Sequence, residues 1–259
     1  MEKNKVAFIS DLMLAAVALI WGLGFPVTQM AIDAQLSSGL IVALRFLIAA
    51  AVMGIIFRRE VRTITPRDAL LGCVAGLILS MAFLLQVMGQ SMTTPSNSAF
   101  LTSLNVIIVP FLSWGFFHQR PTRKMLLVAL GCLVGALVLT LSPGEGLQLG
   151  FGDLLVLCCA VAFSLHISYL GWVAGRIEVK KLTFLQMLTA GCLGGLYTLA
   201  FELPQIAEAD FAAGWMPILY MGLLSTAFAF FAQTYAQKHT SPARAAVILG
   251  CEGLVGSIL

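Results

Sequence analysis

Seven side chains in this 259-residue chain stand out because each is polar, or aromatic with a polar atom, inside an otherwise apolar run: Trp21, Arg45, Gln86, Asn105, His166, Gln233 and Glu252. Polar and ionisable groups at hydrocarbon depth are costly, so those that are kept mark a site or a structural pairing. Arg45 offers a planar cationic fork suited to a carboxylate or a phosphate; the alternative is a structural cation that caps carbonyls or pairs with a neighbouring helix. Glu252 reads as a partner for a substrate ammonium, as a proton-coupling carboxylate, or as the counter-ion of Arg45. Asn105, Gln86 and Gln233 offer amide hydrogen bonds to a ligand or between helices. His166 is either a ligand-binding imidazole or a packed core histidine. Trp21 opens the run Trp21-Gly22-Leu23-Gly24-Phe25-Pro26, where two glycines and a proline in mid-span predict a broken or kinked helix with Trp21 as an aromatic wall or a packing residue.

The elements that position these groups follow from composition. Hydrophobic residues make up 59% of the chain and charged residues 10%, with a mean hydropathy of +0.96, whereas soluble domains are about a quarter charged. Spans of about 20 apolar residues are predicted near 11–31, 36–57, 69–91, 95–117, 123–141, 153–174, 182–203, 214–237 and 241–259. Arg45 lies about nine residues into the second span, and Glu252 about eleven into the last. At 1.5 Å per residue these are roughly 13 and 16 Å of depth, so both reach mid-membrane. The fold class predicted is an all-α polytopic membrane protein with the lipid bilayer as its solvent. The charged N-terminus and apolar run up to Phe25 carry no small-residue cleavage site, so they read as an uncleaved first span.

The joints are short and carry turn chemistry at Thr94-Pro95, Arg120-Pro121, Ser142-Pro143-Gly144 and Ser241-Pro242. That leaves no room for an extramembrane catalytic domain. If the first end is cytoplasmic, the basic residues of the connections all fall on that side: Lys3 and Lys5; Arg58, Arg59, Arg62 and Arg67; Arg120, Arg123 and Lys124; Arg176, Lys180 and Lys181; Lys238 and Arg244. The opposite loops carry Asp33, Glu145, Asp153, Glu202, Glu208 and Asp210. This alternation is the positive-inside pattern, so the basic residues report orientation and not a nucleic-acid partner. The six cysteines lack metal or redox spacing and read as packing residues. The small-xxx-small pairs Gly72/Gly76, Gly131/Gly135, Gly171/Gly175 and Gly191/Gly195 predict close helix contacts.

The chain also repeats. Residues 83–112 align onto 230–259 without a gap at a shift of 147, pairing Phe83 with Phe230, Gln86 with Gln233, Gln90 with Gln237, Thr93 with Thr240, Pro95 with Pro242 and Ala99 with Ala246. The same register pairs Asn105 with Glu252, and a fainter match sets Asp11-Leu12 over Asp153-Leu154. By the charge assignment the two copies run in opposite directions. Two inverted five-helix repeats are therefore expected, residues 1–142 and 143–259, a secondary-transporter architecture with its site near the midplane. Nine spans leave the tenth missing, as in a truncated reading frame or a fragment. No GxxxxGK[ST], HExxH or GxSxG motif and no intramembrane acidic cluster is present, which argues against ATP-driven pumping and familiar membrane enzymology. No cofactor is expected.

Taken in order, Trp21-Gly22, Leu44-Arg45-Phe46, Gln86 through Pro95 leading to Asn105, Gly152-Asp153-Leu154, and Thr240-Ser241-Pro242 leading to Glu252 resemble an EamA-type transporter of the drug/metabolite transporter superfamily. The resemblance covers essentially the whole chain. It implies ten spans, a central cavity, and efflux or exchange of amino acids, nucleosides, sugars or drugs across a bacterial inner membrane. Members commonly carry Glu-Pro where this chain has Glu252-Gly253, so helix geometry there is expected to differ. The expected mechanism is alternating access around a site lined by the seven residues, with a small-molecule substrate and proton coupling through Glu252. The competing reading is a flippase-type or small-multidrug-like subunit that needs a partner chain. Substrate, direction and oligomeric state have no signal in the sequence.

Overall fold

The structure, a computed structural model, describes residues 2–118 and 150–258, together with positions 122, 123, 126, 127, 130, 131 and 134. Among the described residues every regular element is helical. The elements are α1 (Glu2–Asp33), α2 (Ser38–Ile56), the short α3 (Arg58–Val61), α4 (Pro66–Gln90), α5 (Pro95–Ser103), α6 (Asn105–Phe117), α7 (Phe151–Val173), α8 (Val179–Phe201), α9 (Phe211–Gln237), α10 (Pro242–Leu249) and α11 (Cys251–Ile258), with a 3-10 turn at Leu203–Ala207 between α8 and α9. Seven candidate spans are long and apolar enough to cross a membrane, α5 and α6 together making one. The predicted span 241–259 is α10 and α11 end to end. Of the predicted span 123–141, the six described positions are helical; the rest of it, and the joints at Pro121 and at Ser142-Pro143-Gly144, lie outside the described residues.

Helix starts follow local chemistry. Thr65 opens α4 with a reciprocal capping box, its Oγ1 accepting from the Asp68 N–H at 3.1 Å while Asp68 Oδ2 accepts from the Thr65 N–H at 3.0 Å. Thr94 and Ser241 open α5 and α10 in the same way as each other: each hydroxyl accepts from the backbone N–H three residues on, at Asn97 (3.1 Å) and Arg244 (3.3 Å), and each is followed by proline.

Both of those helices then break, at Leu104 and at Gly250, one residue apart in the repeat register. The two interrupted rods pack antiparallel with their breaks side by side. α11 meets α5, where a Cβ on Gly253 would sit 2.6 Å from Ser103 Cβ and one on Gly256 would sit 2.7 Å from Ala99 Cβ; α10 meets α6, where Gly250 faces Val106. Of the broken or kinked helix predicted for α1, the break does not occur: the helix runs unbroken through Pro26. Proline lacks the N–H that the Gly22 carbonyl would have received. Gly22 serves a different need, because α11 comes so close there that a Cβ would lie 2.5 Å from Val255 Cβ.

Other expected glycine contacts divide in two. Gly72 and Gly76 let α4 press onto α8 at Leu185 and Thr189, and Gly191 lets α8 approach the Leu47 backbone. Gly194, rather than Gly195, carries the next turn of that contact, against Ala43. Gly171 meets Pro242, but Gly175 and Gly131 have nothing within 4 Å among the described residues, so those two close no helix contact there; Gly135 lies outside the described residues.

Large apolar side chains such as Phe8, Ile55, Leu199 and Phe201 point outward, while Arg45, Gln90, His166, Gln186, Gln233 and Glu252 are buried. That inversion of the water-soluble pattern is what hydrocarbon solvent selects. Contacts near the helix ends join ends that the charge pattern puts on one side. Lys180 pairs with Glu60, Lys181 with Asp68, and Arg244 with Asp11 at the basic end. At the other end the Gly39 N–H donates to Glu202 Oε2 at 2.8 Å, and Thr93 Oγ1 donates to Asp153 Oδ1 at 2.6 Å.

Candidate functional site

A cavity opens among the helices of the bundle, and all seven residues singled out from the sequence line it. α1 supplies Trp21, α2 Arg45, α4 Gln86, α6 Asn105, α7 His166, α9 Gln233 and α11 Glu252. Asn105 and Glu252 each stand in the first turn after a helix break, so interruption of the backbone sets them at the cavity wall.

Arg45 is 3% exposed and bonds to hydroxyls, with no carboxylate in ion-pair contact among the described residues. Its Nε donates to Thr226 Oγ1 at 3.0 Å and one terminal nitrogen donates to Ser225 Oγ at 3.2 Å. Its Cζ stands 4.3 Å from the Phe83 ring centroid, a cation–π contact. The hydroxyls belong to a π-helical stretch of α9, Tyr220–Phe228, whose wider turns loosen the usual backbone pairing. Trp21 Nε1 donates to the Ser225 carbonyl there at 2.8 Å, and Tyr220 Oη donates to the Ile20 carbonyl at 3.0 Å. Glu252 is 5% exposed. The alternative in which it neutralises Arg45 is not what the fold contains, since neither residue takes part in an ion pair among the described residues.

His166 Nε2 lies 3.0 Å from Gln186 Oε1, and Gln186 Nε2 donates to Thr234 Oγ1 at 3.2 Å. With the amide oriented that way, the imidazole carries its proton on Nε2 and leaves Nδ1 as an acceptor. Nδ1 has no partner among the described residues; neither do Asn105 Oδ1 or the Gln233 Oε1 and Nε2 atoms.

Aromatic rings complete the wall, and of these the sequence reading assigned Trp21 to the site but not Phe83, Phe163 or Phe230. Trp21 packs on Phe230 with ring centroids 4.9 Å apart, Phe163 packs on Phe83 at 5.0 Å, and Phe83 and Phe230 meet at 5.9 Å. The signal was there, because Phe83 and Phe230 are a repeat pair. The shift of 142 that sets Asp11 over Asp153 also sets Trp21 over Phe163 and Phe25 over Ile167. Hydrogen bonds obey the same correspondence: Gln90 Nε2 donates to the Phe25 carbonyl at 2.8 Å and Gln237 Nε2 to the Ile167 carbonyl at 2.9 Å. Gln186, which holds His166, had no signal in the repeat.

Apolar helices in this number, wrapped outward around a cavity with buried charges, define a multi-pass α-helical membrane protein. The model of the EamA-like transporter family matches residues 8–141 and again 150–259. The chain belongs to the EamA-like transporter family. An uncharacterized transporter of Archaeoglobus fulgidus is 29% identical over 253 residues, which cover 95% of this chain and 75% of that protein. A protein of known crystal structure superposes with a TM-score of 0.78 at 18% identity, over 96% of this chain and 85% of that one; at that identity the likeness is one of fold.

Proposed function

We propose that this chain is a secondary transporter that exports or exchanges a small metabolite or drug by alternating access around the central cavity. The observation that carries the reading is the pair Arg45 and Glu252: two buried ionisable groups of opposite charge type on one cavity, with no ion-pair partner among the described residues. Leaving such groups without counter-ions is costly for folding alone, and a bound solute or proton offsets the cost. Seven-residue convergence on the cavity, the antiparallel interrupted rods and the paired glutamine bonds support two inverted five-helix units, residues 1–142 and 143–259, rocking about a shared axis. Trp21, Arg45, Gln86, Asn105, His166, Gln233 and Glu252 line the substrate site in this reading, and Glu252 carries the coupled proton. The positive loops support a bacterial inner-membrane protein with a cytoplasmic N-terminus.

A metabolite-resistance screen of overexpressing cells identifies a solute, and its flux into proteoliposomes is then measured with and without an imposed pH gradient. Glu252→Gln should fold normally and lose the response to the gradient. An unaltered response removes Glu252 from coupling. A reporter fused after Ser142 that proves cytosolic breaks the inverted topology.

A further inference from the structure

The two repeat-paired glutamines of the cavity differ in one respect that the repeat itself explains. Gln86 Nε2 donates to Thr102 Oγ1 at 3.3 Å, from α4 to α5. At the shift of 147, Gln233 corresponds to Gln86 and Leu249 to Thr102. A leucine side chain offers no hydrogen bond. Gln233 is 1% exposed, lines the cavity, and has neither its oxygen nor its nitrogen partnered among the described residues. A buried amide stripped of both partners opposes folding, yet leucine or methionine at 233 would fill the same space without that penalty.

Around Gln233 the cavity presents aromatic surface. Phe230 lies one helical turn earlier on α9, with Trp21 packed on its ring. Asn105 Oδ1 and His166 Nδ1 add two more unpartnered buried acceptor atoms on the same cavity. A side-chain amide with a free C=O and a free N–H side by side is complementary to a ligand that carries the same two groups side by side, as amides do when they read a base edge bidentately.

We propose that Gln233 is the specificity-determining residue of the cavity, and that the ligand it selects is a planar heterocycle with an adjacent N–H donor and C=O or ring-nitrogen acceptor, a lactam or nucleobase-type edge. The heterocycle's plane lies against the aromatic wall, and its edge forms two hydrogen bonds with the Gln233 amide. Thr102 keeps Gln86 from doing the same on the opposite side, so the site reads one edge in one orientation. This inference rests on the cavity being a binding site, and the test separates the two claims.

The probes are 2-quinolone and 4-quinolone, isomers in which the same N–H and C=O are adjacent in one and opposed in the other. Binding of each to the purified full chain in detergent is measured by calorimetry. The adjacent isomer should bind at least about tenfold more tightly, on the scale of one net hydrogen bond, and Gln233→Leu should abolish that preference. Equal binding of the two isomers to the wild-type chain overturns the role of Gln233 and leaves the cavity a binding site. So does a preference that persists in Gln233→Leu. Binding of neither isomer overturns the assigned ligand class, and flux of the screened solute then decides separately whether the cavity is a binding site. The comparison of isomers on the wild-type chain needs no variant to fold.

Discussion

The two halves of the molecule set the same glutamine twice and provide for it differently. Gln90 and Gln237 play one role, each tying its helix to a carbonyl of α1 or α7; Gln86 and Gln233 do not, because Thr102 satisfies one and Leu249 ignores the other. Near the ends of the helices the repeat keeps its internal bonds. At the cavity it departs from itself, with Asn105 against Glu252 and Trp21 against Phe163. Symmetry serves the scaffold here, and the departures from it fall at the cavity.

The largest effect should come from the charge that the first half alone brings to the cavity from α2. Arg45→Met keeps the bulk, removes the cation, and should cut flux of the identified solute by about 10–100-fold, the scale of hydrogen bonds to a charged group. Flux within a factor of two of wild type would reduce Arg45 to a brace for the π-helical stretch of α9.

Next in size is the seam between the halves. Gly76→Ala places a Cβ 2.5 Å from Thr189 Cβ and 2.8 Å from the Gln186 carbonyl, and overpacking of this kind costs about 1–3 kcal/mol. Thermal unfolding in detergent should fall accordingly. Gly175→Ala, with no atom within 4 Å among the described residues, should stay within about 0.5 kcal/mol. Equal effects at the two positions would mean that α4 and α8 have room to move apart.

The glutamine comparison itself is sharpened by exchanging partners. In a cycle of Leu249→Thr and Gln233→Leu, the threonine replaces a fully buried leucine and should cost less stability when Gln233 is present than when it is absent, with a coupling of about 1 kcal/mol. Zero coupling would place Leu249 out of reach of the amide.

The smallest effect belongs to the basic end. Lys180 donates to the Glu60 carboxylate and holds it below the usual carboxylate range. A depressed folded-state value gives a stabilisation that is fully present above the unfolded pKa of about 4.3 and lost as pH falls through the folded value. Because the pair is solvent-exposed, Glu60→Gln should shift the unfolding temperature least of these variants. A shift as large as that of Gly76→Ala would show that the ion pairs at this end, rather than the glycine seam, hold the halves together.

How much of this was legible in the sequence varies with the physical cause. Among the described residues, the spans and the joints at Thr94-Pro95 and Ser241-Pro242 were, because hydrocarbon thickness and turn chemistry act locally on residue type. So was the membership of the cavity lining: a polar side chain in an apolar run has few places to go, and all seven went to one. The breaks at Leu104 and Gly250 had no such mark, since neither residue is a reliable breaker and the interruption arises where two rods cross. Gly22, Gly24 and Pro26 pointed to a break that α1 does not contain, because closeness of α11 asks for the same small residue as a kink would. His166 was visible; its orienting partner Gln186 was not, because their pairing depends on how α7 lies against α8.

The wide turns of Tyr220–Phe228 hold a stored step of rotation. Were that stretch to tighten into ordinary α-helix, it would pass a residue's worth of winding down α9, and everything beyond Phe228 would swing by about 100°. Gln233 would then face hydrocarbon or another helix, while Ser225 and Thr226 would let go of Arg45. Distances between spin labels on α9 and α1, taken with and without the solute, would register such a ratchet or its absence.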